Sequence, residues 1–360
     1  MGARSLSALL KERARPLLLV LLALGALQCQ TTDGLQPPPF NYERLAARYI
    51  GENPGGHFPV TIQRGSNLQA VSSLTGHMFY TSNVLGSGDI WIRDLGKTVS
   101  VALVRHPAEQ YKPAVPPTGD RLVFVSEDSD PRGDLRLVTL EAPQIIRNAL
   151  DGVPNPDLWE NTVNLSESIA ALAKSQNMPA ACQGPAAETD PVWNHTGTLL
   201  AFASDRCSPG EYRLWMLEMD EETPVSLTRL TERDGVQPRF GPESKRIVFL
   251  SFRDSAGGRV YTAGVIGNRL LRGSVREVAL PRQNARGQVY RYANPLLART
   301  RDLRTNELLD GQTLYYTSIR RDTNGNSRLD SADKGGIYAF DLAANGQERA
   351  EEPRWPAIAL

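Results

Sequence analysis

Five times along this chain an aromatic side chain is followed by one residue and then a serine. The copies are Phe79-Tyr-Thr-Ser82, Val123-Phe-Val-Ser126, Ala201-Phe-Ala-Ser204, Val248-Phe-Leu-Ser251 and Tyr315-Tyr-Thr-Ser318. Each follows a turn: Leu74-Thr-Gly76, Pro117-Thr-Gly119, His195-Thr-Gly197, Pro242-Glu-Ser244 and Leu309-Asp-Gly311. Each is followed, beyond a loop of varying length, by a second apolar run at Asp89–Leu95, Asp134–Leu140, Tyr212–Met219, Arg259–Ala263 and Gly336–Leu342. The best-formed copy, Asp190 to Met219, reads as a three-stranded antiparallel meander. A meander cannot bury both of its apolar faces, so a recurring one must pack against its own copies in a ring or stack. Spacings of roughly 45 residues fit a four-stranded propeller blade, the fourth strand lying in the variable stretch before the next copy. The competing reading is a stack of unrelated hairpins.

The first strands carry Ala70-Val71, Pro113-Ala-Val115, Pro191-Val-Trp193, Pro238-Arg-Phe240 and Asn294-Pro295, and a sixth such start appears at Glu352-Pro-Arg-Trp355. The expectation is an all-β propeller of about six four-stranded blades, one of them shared between His57–Arg64 and Pro353–Leu360. Residues 141–180 interrupt the rhythm. Apolar spacing over Ile145–Leu150 and Leu165–Ser175, with Pro154 and Pro156 between, predicts a short helical insertion on one rim. An eroded extra blade around Leu158–Leu165 is the alternative. Tyr290-Arg-Tyr292 and the basic run Arg299–Arg304 read as an arginine-rich approach to the fifth copy, either a protein-binding rim or a solvated loop.

Asp190-Pro-Val-Trp193, Thr196-Gly197 and Leu200-Ala-Phe-Ala-Ser-Asp-Arg206 resemble the WD40-like β-propeller repeat of TolB-type periplasmic proteins. Gly336-Ile-Tyr-Ala-Phe-Asp-Leu342 and Asp89-Ile-Trp-Ile-Arg-Asp-Leu95 resemble that repeat's final strand. The resemblance spans about residues 66–342 and departs at the turn, where Asn194-His-Thr replaces Ser-Pro-Asp. It implies that Asp205-Arg206, Arg253-Asp254 and Arg320-Arg321-Asp322 are structural, tying a hairpin to its neighbour.

The N-terminus has a different character. Arg4, Lys11, Arg13 and Arg15 precede a short apolar run, Leu17–Leu27, which reads as a signal peptide over residues 1–28. An uncleaved anchor is the weaker alternative. Ala26-Leu-Gln-Cys29 resembles a bacterial lipoprotein cleavage box, which would make Cys29 the lipidated first residue; ordinary cleavage after Ala26 is the other possibility. Gln30 is not the Asp that in lipoproteins favours inner-membrane retention, so the resemblance points to the outer membrane. A Pro-rich tether (29–56) and the propeller (57–360) would follow. Without residues 1–28 the chain keeps 36 Lys+Arg against 39 Asp+Glu. That balance gives no basic surface for a nucleic-acid partner. Cys182 and Cys207 then remain as an even pair in an oxidising compartment, either a disulfide across the opening of the third copy or two free thiols.

The sharpest local motif is Asp322-Thr-Asn-Gly-Asn-Ser-Arg-Leu-Asp-Ser-Ala-Asp333. Asp322, Asn324, Asn326, Asp330 and Asp333 occupy the oxygen-ligand positions of a twelve-residue calcium loop, and Arg328 supplies the backbone-carbonyl position. The loop resembles the dockerin variant, with Ser327 where Gly is usual. Structural calcium is the expectation, and a metal-free Asn/Asp/Gly hairpin loop the alternative. Enzyme signals are poor. His57, His77, His106 and His195 are scattered, and no nucleophile elbow, His-Glu-x-x-His or phosphate loop occurs. No catalytic residue is assigned. The expectation is an envelope lipoprotein on the periplasmic side whose propeller binds a protein or ligand without catalysis and reaches the membrane through its lipid. A propeller hydrolase or lyase acting on an envelope or extracellular polymer, and a purely structural repeat protein, are the alternatives.

Overall fold

The computed structural model describes residues 67–96, 99–301, 308–320, 322–323, 329, 333, 336–342 and 348–349. These residues form five sheets, each begun by a chain-order meander. Blade 1 holds β1 (Asn67–Ser72), β2 (His77–Ser82), β3 (Asp89–Asp94) and β4 (Ser100–Val104). Blade 2 holds β5 (Gln110–Ala114), β6 (Arg121–Ser126), β7 (Asp134–Thr139) and β8 (Val163–Asn164); blade 3 holds β9 (Glu188–Trp193), β10 (Leu199–Ser204), β11 (Arg213–Asp220) and β12 (Thr223–Arg229). Blade 4 holds β13 (Val236–Phe240), β14 (Arg246–Ser251) and β15 (Arg259–Ile266), with β16 (Arg269–Leu270) and β17 (Arg276–Glu277) both pairing with β15. Blade 5 holds β18 (Arg291–Arg301), β19 (Leu308–Ile319), β20 (Gly336–Asp341) and β21 (Glu348–Arg349).

Four of the repeated serines end the second strand of their blade, and Ser318 stands one residue before the end of β19. In blades 2 and 3 the hydroxyl accepts from the loop beyond it: Ser126 Oγ from Asp128 N at 3.2 Å, and Ser204 Oγ from Arg206 N at 3.1 Å. There this short side chain satisfies a backbone donor after the strand, whereas in blade 4 Ser251 Oγ donates to Asp234. The second strands read as near-continuous apolar runs because both blade faces are buried. Val123, Val125 and Leu135 of blade 2 pack on Leu200, Phe202 and Leu217 of blade 3, with Leu165, Ile169 and Ala173 of the insertion closing that core. Phe79, Ile90 and Ile92 of blade 1 meet Leu122, Phe124 and Val138 of blade 2, joined by Ile145 and Ile146. Val248, Leu250 and Val260 of blade 4 meet Leu297, Leu314 and Tyr316 of blade 5.

The insertion is helical, as its periodicity predicts: α1 spans Ala142–Leu150 and α2 spans Leu165–Ser175. The Asn164 side chain caps α2 by accepting from Glu167 N. The segment read alternatively as an eroded blade instead supplies β8, the edge of blade 2. The arginine-rich approach is corrected in part, since Tyr292 and Arg299 lie within β18 and pair with β19.

Inner strands pack in series, β1 on β5, β5 on β9, β9 on β13 and β13 on β18. Five blades therefore stand among the described residues. The expected sixth, with its strands at 57–64 and 353–360, lies outside them, as do the signal peptide, Cys29 and the tether. Among the described residues no helix is long and apolar enough to cross a membrane.

Candidate functional site

The inner strands share a backbone irregularity. Gln69, Lys112, Asp190, Gln237 and Asn294 each hold a left-handed conformation, with φ of 56°, 53°, 54°, 51° and 51°. Each sits where the pairing with the second strand of its blade slips by one residue, a β-bulge. Four are followed by proline (Pro113, Pro191, Pro238, Pro295), and the fifth by Ala70. Proline has no N–H for the ladder and pushes the residue before it out of the right-handed helical region, so a polar-Pro pair on an inner strand places the bulge. A left-handed side-chain-bearing residue costs roughly 1–2 kcal/mol, so five copies at one register position need a compensating contact.

The contact is a belt from blade to blade. Lys112 N donates to Gln69 Oε1 at 2.7 Å, Gln237 N to Asp190 Oδ2 at 3.0 Å, and Asn294 N to Gln237 Oε1 at 2.7 Å. Lys112 breaks the pattern because its ammonium cannot accept. Instead Nζ donates to Asp190 Oδ1 at 2.8 Å and to Thr189 Oγ1 at 2.7 Å. Blade 2 thus places an amine, and blade 3 a buried carboxylate, at the edge of the central channel. A polar ring of this kind is the most organised candidate site among the described residues.

Two positions beyond each left-handed residue, the inner strands carry Val71, Ala114, Val192, Arg239 and Leu296. Arg239 is the exception in this apolar layer. It is partly buried, its Nη1 donates to Pro238 O at 2.8 Å, and burial pulls its pKa below the ordinary arginine value against the opposing field of Asp190.

The loop end of blades 2 and 3 holds a buried network. Arg206 Nη2 meets Glu188 Oε1 at 2.6 Å, and both side chains are essentially inaccessible. Arg206 Nη1 donates to Cys182 O at 2.9 Å and Gly184 O at 3.0 Å. Ser166 of α2 donates to Glu188 Oε2 and accepts from Leu135 N at 2.8 Å. Asp205 accepts from Ala187 N, Gly210 N and the Arg132 guanidinium of blade 2. Cys182 and Cys207 are joined by a disulfide, with Sγ–Sγ of 1.99 Å. Asp205-Arg206 therefore has the tying role implied by the resemblance. Arg253-Asp254 does not: both are exposed, and Asp234 replaces them by accepting from Ser251 Oγ at 2.6 Å. Arg320 lies 3.7 Å from the Tyr338 ring centre and donates to Tyr316 Oη at 2.9 Å.

The histidines stay apart. His106 stacks on Trp159 at 4.0 Å, with Nε2 3.5 Å from Asp128 and Nδ1 accepting from Ala108 N, so both ring nitrogens are engaged. Nearby Asp89 is pushed up to about 6 by burial, against a backbone bond from His106. His77 contacts Thr75 and Asp94, and His195 contacts Ser244. His57 lies outside the described residues. Among the described residues no group of three His, Cys, Asp or Glu could hold a metal. Of the calcium-loop residues, Asn324, Asn326, Arg328 and Asp330 lie outside the description. Asp322 and Asp333 lie within it, and Asp333 Oδ1 accepts from Thr323 N at 2.6 Å, closing the start of the loop on its end.

The sequence analysis assigns no site to the inner strands. The signal for the belt was present in Lys-Pro, Asp-Pro, Gln-Pro and Asn-Pro at one register position. No family model and no curated protein sequence matches the chain. Solved structures do. TolB from Acinetobacter baumannii is 13% identical, matching 80% of this chain and 54% of its own, with a TM-score of 0.50. The fold is a TolB-like β-propeller. A structure described as TolB from Agrobacterium tumefaciens is also 13% identical, matching 81% of this chain and 82% of its own at a TM-score of 0.48. A puromycin-hydrolysing peptidase of Mycobacterium tuberculosis matches 82% of this chain and 40% of its own at 14% identity and a TM-score of 0.44.

Proposed function

We propose that this chain is a non-catalytic binding propeller of the cell envelope, engaging a protein or ligand partner at the mouth of its central channel. The observation that supports this most is the belt of Gln69, Lys112, Asp190, Gln237 and Asn294. Five strained residues at one register position, two of them forming a Lys–Asp pair, pre-organise a polar rim around the axis. Where, among the described residues, a histidine–carboxylate contact lies beside a raised carboxyl, at His106, both imidazole nitrogens are already engaged. The solved-structure likeness to TolB favours a periplasmic location, and Cys29 is the proposed lipid attachment that would hold the protein at the outer membrane.

The test is photo-crosslinking from a side chain installed at Gln69 or Asn294, in envelopes carrying the full chain, with identification of the captured species. Reproducible capture at these positions and not at the exposed Ile266 supports the reading. Equal capture at all three sites, or turnover of peptide or glycan by the purified protein, overturns it. Palmitate labelling abolished by Cys29→Ala would establish the anchor.

We further propose that the 322–333 loop takes one structural calcium, closing the long connection between β19 and β20. The Asp333–Thr323 bond supports this, since it already brings the two ends of the loop together. Calcium should raise the melting temperature of the purified protein, and Asp322→Ala should remove that rise. Identical melting curves with calcium and with chelator would overturn the assignment.

A further inference from the structure

We infer that Arg239 is a carboxylate-binding residue of the channel, whose anion the described residues do not supply. The inference deepens the reading of the channel as the binding face and rests on it.

Arg239 takes a place that four other blades give to Val71, Ala114, Val192 and Leu296. It pairs with Val248 across the β13–β14 ladder, so it stands on the blade face that packs against blade 5, at the channel edge of that interface. Among the described residues its one hydrogen bond is from Nη1 to Pro238 O, leaving the rest of the guanidinium fork uncommitted. Among the described residues it has no carboxylate within ion-pairing distance. Asp190, the nearest acid that acts on it, is held by Lys112 Nζ on one oxygen and by Gln237 N on the other. Among the belt and layer residues named above, Lys112 and Asp190 cancel and Arg239 is left as the unbalanced charge.

A half-buried guanidinium without a counter-ion is disfavoured relative to a paired one, and burial lowers its proton affinity. A single carboxylate both balances the charge and matches the planar fork with two parallel N–H···O bonds. A dianion such as phosphate would overbalance one cation beside Asp190. Two sources share this chemistry: a small free organic acid, and the C-terminal carboxylate of a peptide.

The experiment is calorimetry of the full protein against butyrate, acetyl-tetra-alanine with a free carboxylate, and the same peptide as its amide. The free-acid peptide should bind at least about tenfold more tightly than the amide, as expected for loss of a charge-assisted pair. Binding of butyrate as well would point to small organic acids, and binding of the peptide acid alone to a protein C-terminus. Arg239→Val, which restores the side chain of the equivalent blade positions, should melt at or above the wild-type temperature while losing at least about tenfold in affinity for the free-acid peptide. Equal binding of acid and amide, no binding of either to the wild type, or a lower melting temperature for Arg239→Val overturns the inference. If crosslinked capture at Gln69 persists while no acid binds, only this inference fails; if capture itself fails, the binding-face reading fails with it.

Discussion

Arg206→Ala should destabilise the propeller by about 3 to 5 kcal/mol near pH 8, and by clearly less near pH 5. The magnitude comes from what the substitution leaves behind. Glu188 has no accessible side-chain surface, and Arg206 is its only cationic contact among the described residues. Two carbonyls, of Cys182 and Gly184, lose their donors in the same step. The pH dependence follows from Glu188 itself, which burial raises from 4.5 to about 7 even though Arg206 and Ser166 pull it down. Between these values the folded protein holds a proton that the unfolded chain has released. Stability from this group is therefore greatest below about 4.5, falls as pH rises and is lost above about 7. Removing Arg206 takes away the attraction that keeps Glu188 down, so the carboxyl stays protonated to higher pH and the loss grows as pH rises. Denaturant unfolding at pH 5 and pH 8 measures both points. Equal losses at the two pH values would show that Glu188 does not titrate across this range. Glu188→Gln should remove this contribution to the pH slope, its amide oxygen accepting from Arg206 while its NH2 turns to donate to Ser166 Oγ.

The repeat was legible because it rests on local chemistry. A serine that caps the loop after a strand, and a strand buried on both faces, leave marks in consecutive residues. Four of the five second strands end at the predicted serine and the fifth ends one residue beyond it, and the two insertion helices fall where their apolar spacing places them. Glu188 was not legible. It opens β9 beside Thr189 and Asp190 and reads as an ordinary polar strand start, while its partners lie at 166 and 206. Nothing local distinguishes a carboxylate held by residues about 20 positions away from one that faces water. Arg239 was hidden differently, since an arginine in a Pro-Arg-Phe strand start becomes exceptional only once the inner strands are superimposed in register. The belt lay between these cases. Its polar-Pro pairs are visible in order, but what they do depends on each strand's neighbour around the ring. Arg253-Asp254 shows the limit of reasoning by analogy between copies: the motif position is kept, and Asp234 from the preceding loop makes the bond instead.

Replacing both Cys182 and Cys207 by serine should cost about 3.5 kcal/mol, the chain-entropy value for a cross-link spanning a sequence separation of 25. The segment it closes contains all of β9 and β10, so in the unfolded chain the bridge restricts the inner half of blade 3. Two local features adjust the figure. Arg206 bonds the carbonyl of Cys182, so the free ends stay tethered in the folded state and the cost falls mainly on the unfolded ensemble. Cys207 holds a left-handed backbone with φ of 75°, which serine would retain and glycine would not resist. Cys182→Ser with Cys207→Gly should therefore be more stable than the double serine variant by roughly 1 kcal/mol. The bridge and the ion pair hold the same loop, 182–187, so their effects should not add: losing Arg206 frees that loop, and the bridge then restrains it alone. A double-mutant cycle between Arg206→Ala and the cysteine pair, read by denaturant unfolding under oxidising conditions, should give a combined loss greater than the sum of the single losses. A sum within error of additivity would mean that the two restraints act on separate parts of blade 3, and stability unchanged by reductant would mean that the bridge constrains nothing the fold does not already hold.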